Sequence, residues 1–215
     1  MAQFNVQDAD NYGGQGGGGF FSLKKNGEIA HVRFLYNGID DVRGHSVHEV
    51  EINGKKRYVN CLREYGDPID ACPFCKAGKF VQVKYFVPLY NMDTGTVQTW
   101  ERGKKFGAKL TSMCSRYPNT VAHTFEIERN GNPGDTSTTY ETYETGETPD
   151  VTLDEFEVPN PLGTIILTKN ADEMQNFLES GSFGDDGSNN RGGSEPTSGY
   201  TRRTPASGSG RREAF

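Results

Sequence analysis

The sequence is short of apolar residues, which make up 33% of its 215 positions. No stretch approaches the roughly 20 consecutive apolar residues that a membrane-spanning helix needs. The first residues lack the basic start and apolar run of a secretory signal, so a reducing, cytoplasmic setting is expected. There are four cysteines, three of them within fifteen residues, which does not resemble a secreted disulfide framework. No Gly-rich phosphate loop ends in Lys-Ser or Lys-Thr. The glycines at 13, 14 and 16–19 do not lie between a strand and a helix, so they fail the dinucleotide-binding context. Asp40-Asp41, Asp67 and Asp70 read as turn residues. The acids of 141–157 fall in Thr/Glu/Pro-rich sequence that looks solvated, where a carboxylate cluster for a nuclease metal pair is not expected. A binding protein is therefore expected, not an enzyme.

The net charge of −6 conceals a segregation. Residues 21–120 carry 16 Lys/Arg against 10 Asp/Glu, a surplus of six positive charges. Residues 126–157 carry ten acids and Arg129 alone, a balance of −9, and residues 181–215 carry five arginines against four acids. The middle of the chain is thus the candidate for binding a polyanion. The acidic stretch reads as a partner surface or as a competitor with nucleic acid for the basic face.

Residues 1–19 are too rich in glycine to repay their ordering entropy and read as a flexible arm; residues 181–215, rich in Gly, Ser, Asn, Arg and Thr, read as a disordered tail. Between them, residues 20–180 hold five to seven short strands. His31–Tyr36 is one. Val47–Ile52 alternates at period two, and Asn53-Gly54 turns it into a second arm, Lys56–Val59. Phe80–Tyr90 is the longest strand candidate, returning through Asp93-Thr94-Gly95 into 96–101. Phe106, Leu110, Met113, Cys114 and Tyr117 recur at helical spacing over 104–117. Val121–Glu128 alternates again, and 130–150 reads as a loop or long hairpin. Residues 164–168 form a short apolar strand, and Asn170 caps a helix over 171–179. A strand-rich block with a helix between its later strands fits a small barrel of oligonucleotide-binding type, with a β-sandwich as the alternative.

Four residues stand out chemically: His48, Cys61, Cys72 and Cys75, the last two as Cys72-Pro73-Phe74-Cys75. A Cys-x2-Cys knuckle aims two thiolates at one ion. A third thiolate and an imidazole complete the closed tetrahedral shell of one structural zinc, within an insert over about 45–79. His45 or Cys114 could stand in for His48, although Cys114 sits on the apolar face of a helix. A Cys72–Cys75 redox pair, as in a thiol oxidoreductase, is the catalytic alternative, and the two further ligands argue against it.

Cations and rings are interleaved around this insert. Lys55, Lys56, Arg57 and Tyr58 share a hairpin arm; Lys76, Lys79 and Lys84 flank Phe80, Tyr85 and Phe86; Trp100 precedes Lys104, Lys105 and Phe106; Arg33 lies on an early strand. Unpaired nucleic acid is held by such a combination, with cations along the phosphates and rings under the bases. Two other readings use the same features: a zinc-stapled protein-interaction module working through its acidic stretch, and an RNA-binding regulatory module.

The ligand order His48…Cys61…Cys72-x2-Cys75, with Phe20-Phe21-Ser22-Leu23, Val32-Arg33-Phe34-Leu35 and the later strands, resembles the zinc-containing single-stranded-DNA-binding, helix-destabilising proteins of tailed phages. The resemblance implies an oligonucleotide-binding barrel with a zinc subdomain and a basic, aromatic-lined cleft. It implies coating of exposed strands during phage DNA replication, recombination and repair in the host cytoplasm. Replisome partners would be recruited through the C-terminal tail, here with Phe215 as the terminal aromatic. Such proteins carry a basic N-terminal arm and an acidic tail. Here residues 1–23 have no Lys or Arg and the tail is near neutral, so only weak self-association on DNA is expected.

Overall fold

The computed structural model describes residues 19–148 and 150–183. Most of the N-terminal arm, the tail from 184 and Phe215 lie outside the described residues. Eight strands form one open mixed sheet: β1 Ile29–Phe34, β2 Gly44–Ile52, β3 Lys55–Asn60, β4 Val81–Asn91, β5 Thr96–Gly103, β6 His123–Asn130, β7 Thr139–Glu147 and β8 Ile166–Leu167. The order along the sheet is β7-β6-β1-β4-β2-β3-β8, with β5 on the other side of β4. Among the described residues three α-helices accompany it: α1 Pro73–Lys76, α2 Gly107–Arg116 and α3 Ala171–Ser180.

Local chemistry explains most of these elements. Asn53 and Gly54 both adopt positive φ, 52° and 75°, the left-handed pair that a two-residue hairpin turn requires between β2 and β3. The helical spacing of 104–117 resolves into a 3-10 turn, Lys104–Phe106, followed by α2, whose Leu110, Met113 and Cys114 are buried. The stretch read as a loop or long hairpin turns back as β7, which pairs with β6 because the alternation that defines β6 resumes in it. The apolar run 164–168 yields only two strand residues, Ile166 and Leu167, paired in parallel with Tyr58 and Val59. That strand is shorter than its composition suggests, since the backbone N–H groups of Ile165 and Ile166 turn back to the Pro161 carbonyl.

The long strand β4 organises the molecule. Its first half, Val81–Tyr85, pairs with β2, and its last residues, Leu89–Asn91, pair with β1 along the same edge. β5 pairs with the opposite edge over 84–91. Two neighbours sharing one edge divide the sheet into two parts, each with its own core. Phe34, Trp100, Leu110, Phe125 and Ile127 centre the larger one, under α2. Val50, Val59, Phe74, Met174 and Phe177 centre the smaller one, under α1 and α3.

α3 closes the smaller core from outside the β2–β4 segment. Asn170 Oδ1 accepts from the Glu173 N–H (2.9 Å), and Glu173 Oε2 accepts from the Asn170 N–H (2.8 Å), a reciprocal capping box. Asn170→Ala should lower the unfolding free energy by about 1 kcal/mol, read as a shift in urea midpoint with an unchanged slope. An unaltered midpoint would show that α3 is held without its cap.

Candidate metal centre and the cationic surface around it

The hairpin brings the ligands to one end of the sheet. His48 leaves β2 on the face that carries Val50 and Ile52, and Cys61 follows the last residue of β3. The Cys61 N–H donates to the Ser46 carbonyl (2.9 Å), extending the ladder by one rung and holding the thiol near His48. Cys72 caps α1 and Cys75 sits within it. The N–H groups of Lys76 and Gly78 donate to the carbonyls of Cys72 and Cys75, both at 2.9 Å, which closes the knuckle.

The ligand atoms of all four residues lie within 4.8 Å of one another. Cys61 Sγ is 3.6 Å from Cys75 Sγ, and His48 Nε2 is 3.5 Å from Cys72 Sγ and 3.6 Å from Cys75 Sγ. A tetrahedral ion with bonds of about 2.3 Å to sulfur and about 2.0 Å to nitrogen sets S···S near ~3.8 Å and N···S near ~3.5 Å. The spacings match that shell and are far too long for a disulfide; all three cysteines are free. The cluster can therefore hold a metal ion, and its soft, closed donor set suits structural zinc.

The surroundings prepare the donors. His48 Nδ1 donates to the Phe80 carbonyl (3.2 Å), which leaves Nε2 with a free lone pair facing the sulfurs. Burial lowers the His48 pKa and keeps the ring neutral. Burial alone would raise the Cys72 thiol, but N–H groups of Leu62, Cys75 and Phe74 turned toward its sulfur bring it below its ordinary value. Burial pushes the Cys61 thiol up to about 12, so an ion there must displace its proton. Phe74 packs edge-on against the His48 ring, with centroids 5.4 Å apart, and Met174 Sδ lies 3.9 Å from Cys72 Sγ.

His45 and Cys114 are not part of this cluster. His45 is three residues from His48 and so on the other face of β2, where it packs against Phe86. Cys114 is buried in the larger core. A second grouping, His123 with Glu144 and Glu147, lies on β6 and β7, with Nδ1 at 3.5 and 3.7 Å from the two carboxylates.

The residues read as nucleic-acid contacts are distributed unevenly. Strand alternation splits the hairpin arm. Lys55 and Arg57 pair with Ile52 and Val50 on the metal side, and Lys56 and Tyr58 pair with Glu51 and Glu49 on the other. Lys55, Arg57, Lys76 and Lys79 are exposed, as are Lys104 and Lys105. Lys56 is paired with Glu49 (2.7 Å). Lys84 is paired with Glu101 (2.6 Å) and lies over the Tyr58 ring, whose hydroxyl donates to the same Glu101 oxygen (2.7 Å). Burial works against the Lys84 ammonium, yet Glu101 and Tyr58 more than offset it and its pKa stands above the ordinary value. Arg33 Nη2 donates to Thr148 Oγ1 (2.9 Å).

Two of the rings are engaged. Trp100 is 1% exposed, with Phe21, Phe34, Phe106 and Tyr140 around it and the Arg102 guanidinium over its ring, so in this conformation it offers no face to a base. Tyr85 packs against Gly44 and Gly107: a Cβ at Gly107 would meet its hydroxyl oxygen at 2.5 Å. Two other rings are uncovered beside the metal cluster: Tyr65, in the loop between Cys61 and Cys72, and Phe80, which is 79% exposed. Tyr65 had one signal in sequence: it is an aromatic set among Glu64, Gly66, Asp67 and Pro68, with no apolar neighbour to pack on.

No protein-family model matches the chain, and no match was found among curated proteins. Among the described residues, no helix is long and apolar enough to cross a membrane.

Elemental analysis of purified protein should give one zinc per chain. His48→Ala should lower that stoichiometry, while His45→Ala and Cys114→Ser should leave it intact. Chelation should speed hydrogen exchange across 44–81 and 171–180 by more than that across β6 and β7; uniform protection with and without metal would rule out a structural role.

Proposed function

We propose that this chain is a non-enzymatic single-stranded-DNA-binding protein, built on an oligonucleotide-binding barrel with one structural zinc held by His48, Cys61, Cys72 and Cys75. The observation that carries this reading is a metal-ligand cluster beside which exposed cations, Lys55, Arg57, Lys76 and Lys79, accompany uncovered rings, Tyr65 and Phe80. Cations on phosphates would supply affinity independent of sequence, and rings under bases would distinguish an unpaired strand from a duplex, whose bases are already stacked. The zinc does no chemistry in this scheme. It fixes the loop 61–80 so that Tyr65, Lys76, Lys79 and Phe80 are presented without an ordering cost at each binding event.

The chemistry suits a sequence-tolerant coat on unpaired strands, and that these are strands exposed in DNA replication, recombination and repair is what the resemblance implies. The resemblance to the phage helix-destabilising proteins supports the same role, with a cytoplasmic setting and replisome partners reached through the tail that ends at Phe215.

The test is a titration of labelled oligo-dT, oligo-rU and duplex DNA at two salt concentrations, read by anisotropy. Tight binding of oligo-dT that falls steeply with salt, with little for duplex, is expected. Tyr65→Ala and Phe80→Ala should each cost about 1–3 kcal/mol of binding. Lys84→Ala should cost less than Lys79→Ala, because Lys84 is already paired. Preference for oligo-rU would favour an RNA-binding module, and absence of binding to any strand at low salt would leave a protein-interaction module.

A further inference from the structure

The outward face of β1, β6 and β7 differs in kind from the metal side. Register sets Ile29 beside Glu128 beside Glu141, and His31 beside Glu126 beside Tyr143. The alternate residues Ala30, Val32, Phe125 and Ile127 belong to the larger core. Asp93 joins this face by accepting from the His31 backbone N–H (2.9 Å) and lying 3.1 Å from its Nδ1. Four carboxylates thus converge, with Lys109 reaching Glu141 at the margin (3.1 Å). Two large apolar side chains stand uncovered among them, Ile29 at 45% and Tyr143 at 50% exposure. β7 is also the end of the strand order, paired with β6 alone among the described residues.

We propose that this face binds the chain's own residues 200–215. That segment carries Arg202, Arg203, Arg211 and Arg212 against Glu213 alone, together with Tyr200 and Phe215. It therefore complements the face twice: guanidinium pairs for the carboxylates, which they can engage in bidentate fashion, and aromatic side chains for Ile29 and Tyr143. Exposed ion pairs are individually weak, so a free peptide would bind poorly. Tethering changes this, because an attached segment is present at an effective concentration of order millimolar. The reach is sufficient: the 17 residues from 183 to 200 can span up to roughly 55 Å, more than the ~30–40 Å across a domain of this size. Docking would neutralise part of the −9 stretch and withhold four arginines from other polyanions. The assignment concerns the end of the sheet opposite β2 and β3, and it stands independently of the strand-binding proposal.

The test uses the full chain with Arg202, Arg203, Arg211 and Arg212 changed to Gln, so that its own segment does not compete, titrated against a fluorescent peptide of residues 200–215. Saturable binding at low salt is expected. It should weaken ~10-fold or more, the sum of several exposed charge pairs, in the further variant E126Q/E128Q/E141Q. The same loss should follow from changing the peptide's four arginines to Gln, and Phe215→Ala should give a smaller loss. A urea midpoint for the triple variant close to the parent's establishes that the face is folded. Absence of saturable binding at low salt up to about millimolar peptide, the effective concentration of the tethered segment, or equal affinity for the triple variant, overturns the proposal. Sedimentation of the unaltered chain as a monomer supports docking within one chain. A dimer that dissolves in E126Q/E128Q/E141Q would assign the segment to a neighbouring copy and overturn that form of it.

Discussion

The convergence of one imidazole nitrogen and three sulfurs at the end of a hairpin is the constraint on which half of this molecule depends. The smaller core is built from few residues, and Cys72 and Cys75 are themselves among them. Apolar burial at that scale does little against the entropy of ordering a loop as long as 61–80, whose sequence includes Gly66, Pro68, Pro73 and Gly78. An ion held by the four ligand atoms would supply what the apolar contacts cannot. His48 is fully buried although its ring is polar, because Nδ1 is satisfied by the Phe80 carbonyl and Nε2 faces the sulfurs. α3, which arrives from the far end of the chain, shields this arrangement by placing Met174 and Phe177 over it.

The larger core needs no such help. Its aromatic residues interlock around Trp100, and Arg102 lies over Trp100, Phe106 and Tyr140 at 4.4–5.4 Å from their centroids. Burial lowers the pKa of that guanidinium, and the ring faces around it stand in for part of the lost hydration. The two halves communicate through β4, which runs through both parts of the sheet. Residues 84 and 85 hydrogen-bond toward β2 on one edge and β5 on the other, so a shift of the metal end along β4 would be felt at β5.

Charge segregation along the chain becomes segregation in space. Four exposed cations, Lys55, Arg57, Lys76 and Lys79, lie on the β3 arm and the loop that carries Cys72 and Cys75, while Lys104 and Lys105, also exposed, lie beyond β5. The carboxylates of β6 and β7 lie at the opposite end of the strand order. The two ends of the strand order thus present different surfaces to a polyanion and to a polycation.

The sequence by itself determined what depends on near neighbours. The Asn53-Gly54 turn, the alternation of β2, β4 and β6, the helix behind Asn170 and the three-cysteine part of the ligand set all follow from residue type and spacing, because turn geometry and strand period are local properties. Only the tertiary structure decided the rest. That Trp100 is walled in and Tyr85 half-buried while Tyr65 and Phe80 are bare depends on which surfaces meet. The pairing of Lys56 with Glu49 and of Lys84 with Glu101 depends on cross-strand register. The choice of His48 over His45 depends on which face of β2 turns toward Cys72. Eight strands form where five to seven are expected, since part of the stretch read as a loop or long hairpin pairs with β6 as β7. Burial and charge pairing are sums over residues distant in sequence, and no local pattern fixes them until the sheet has assembled.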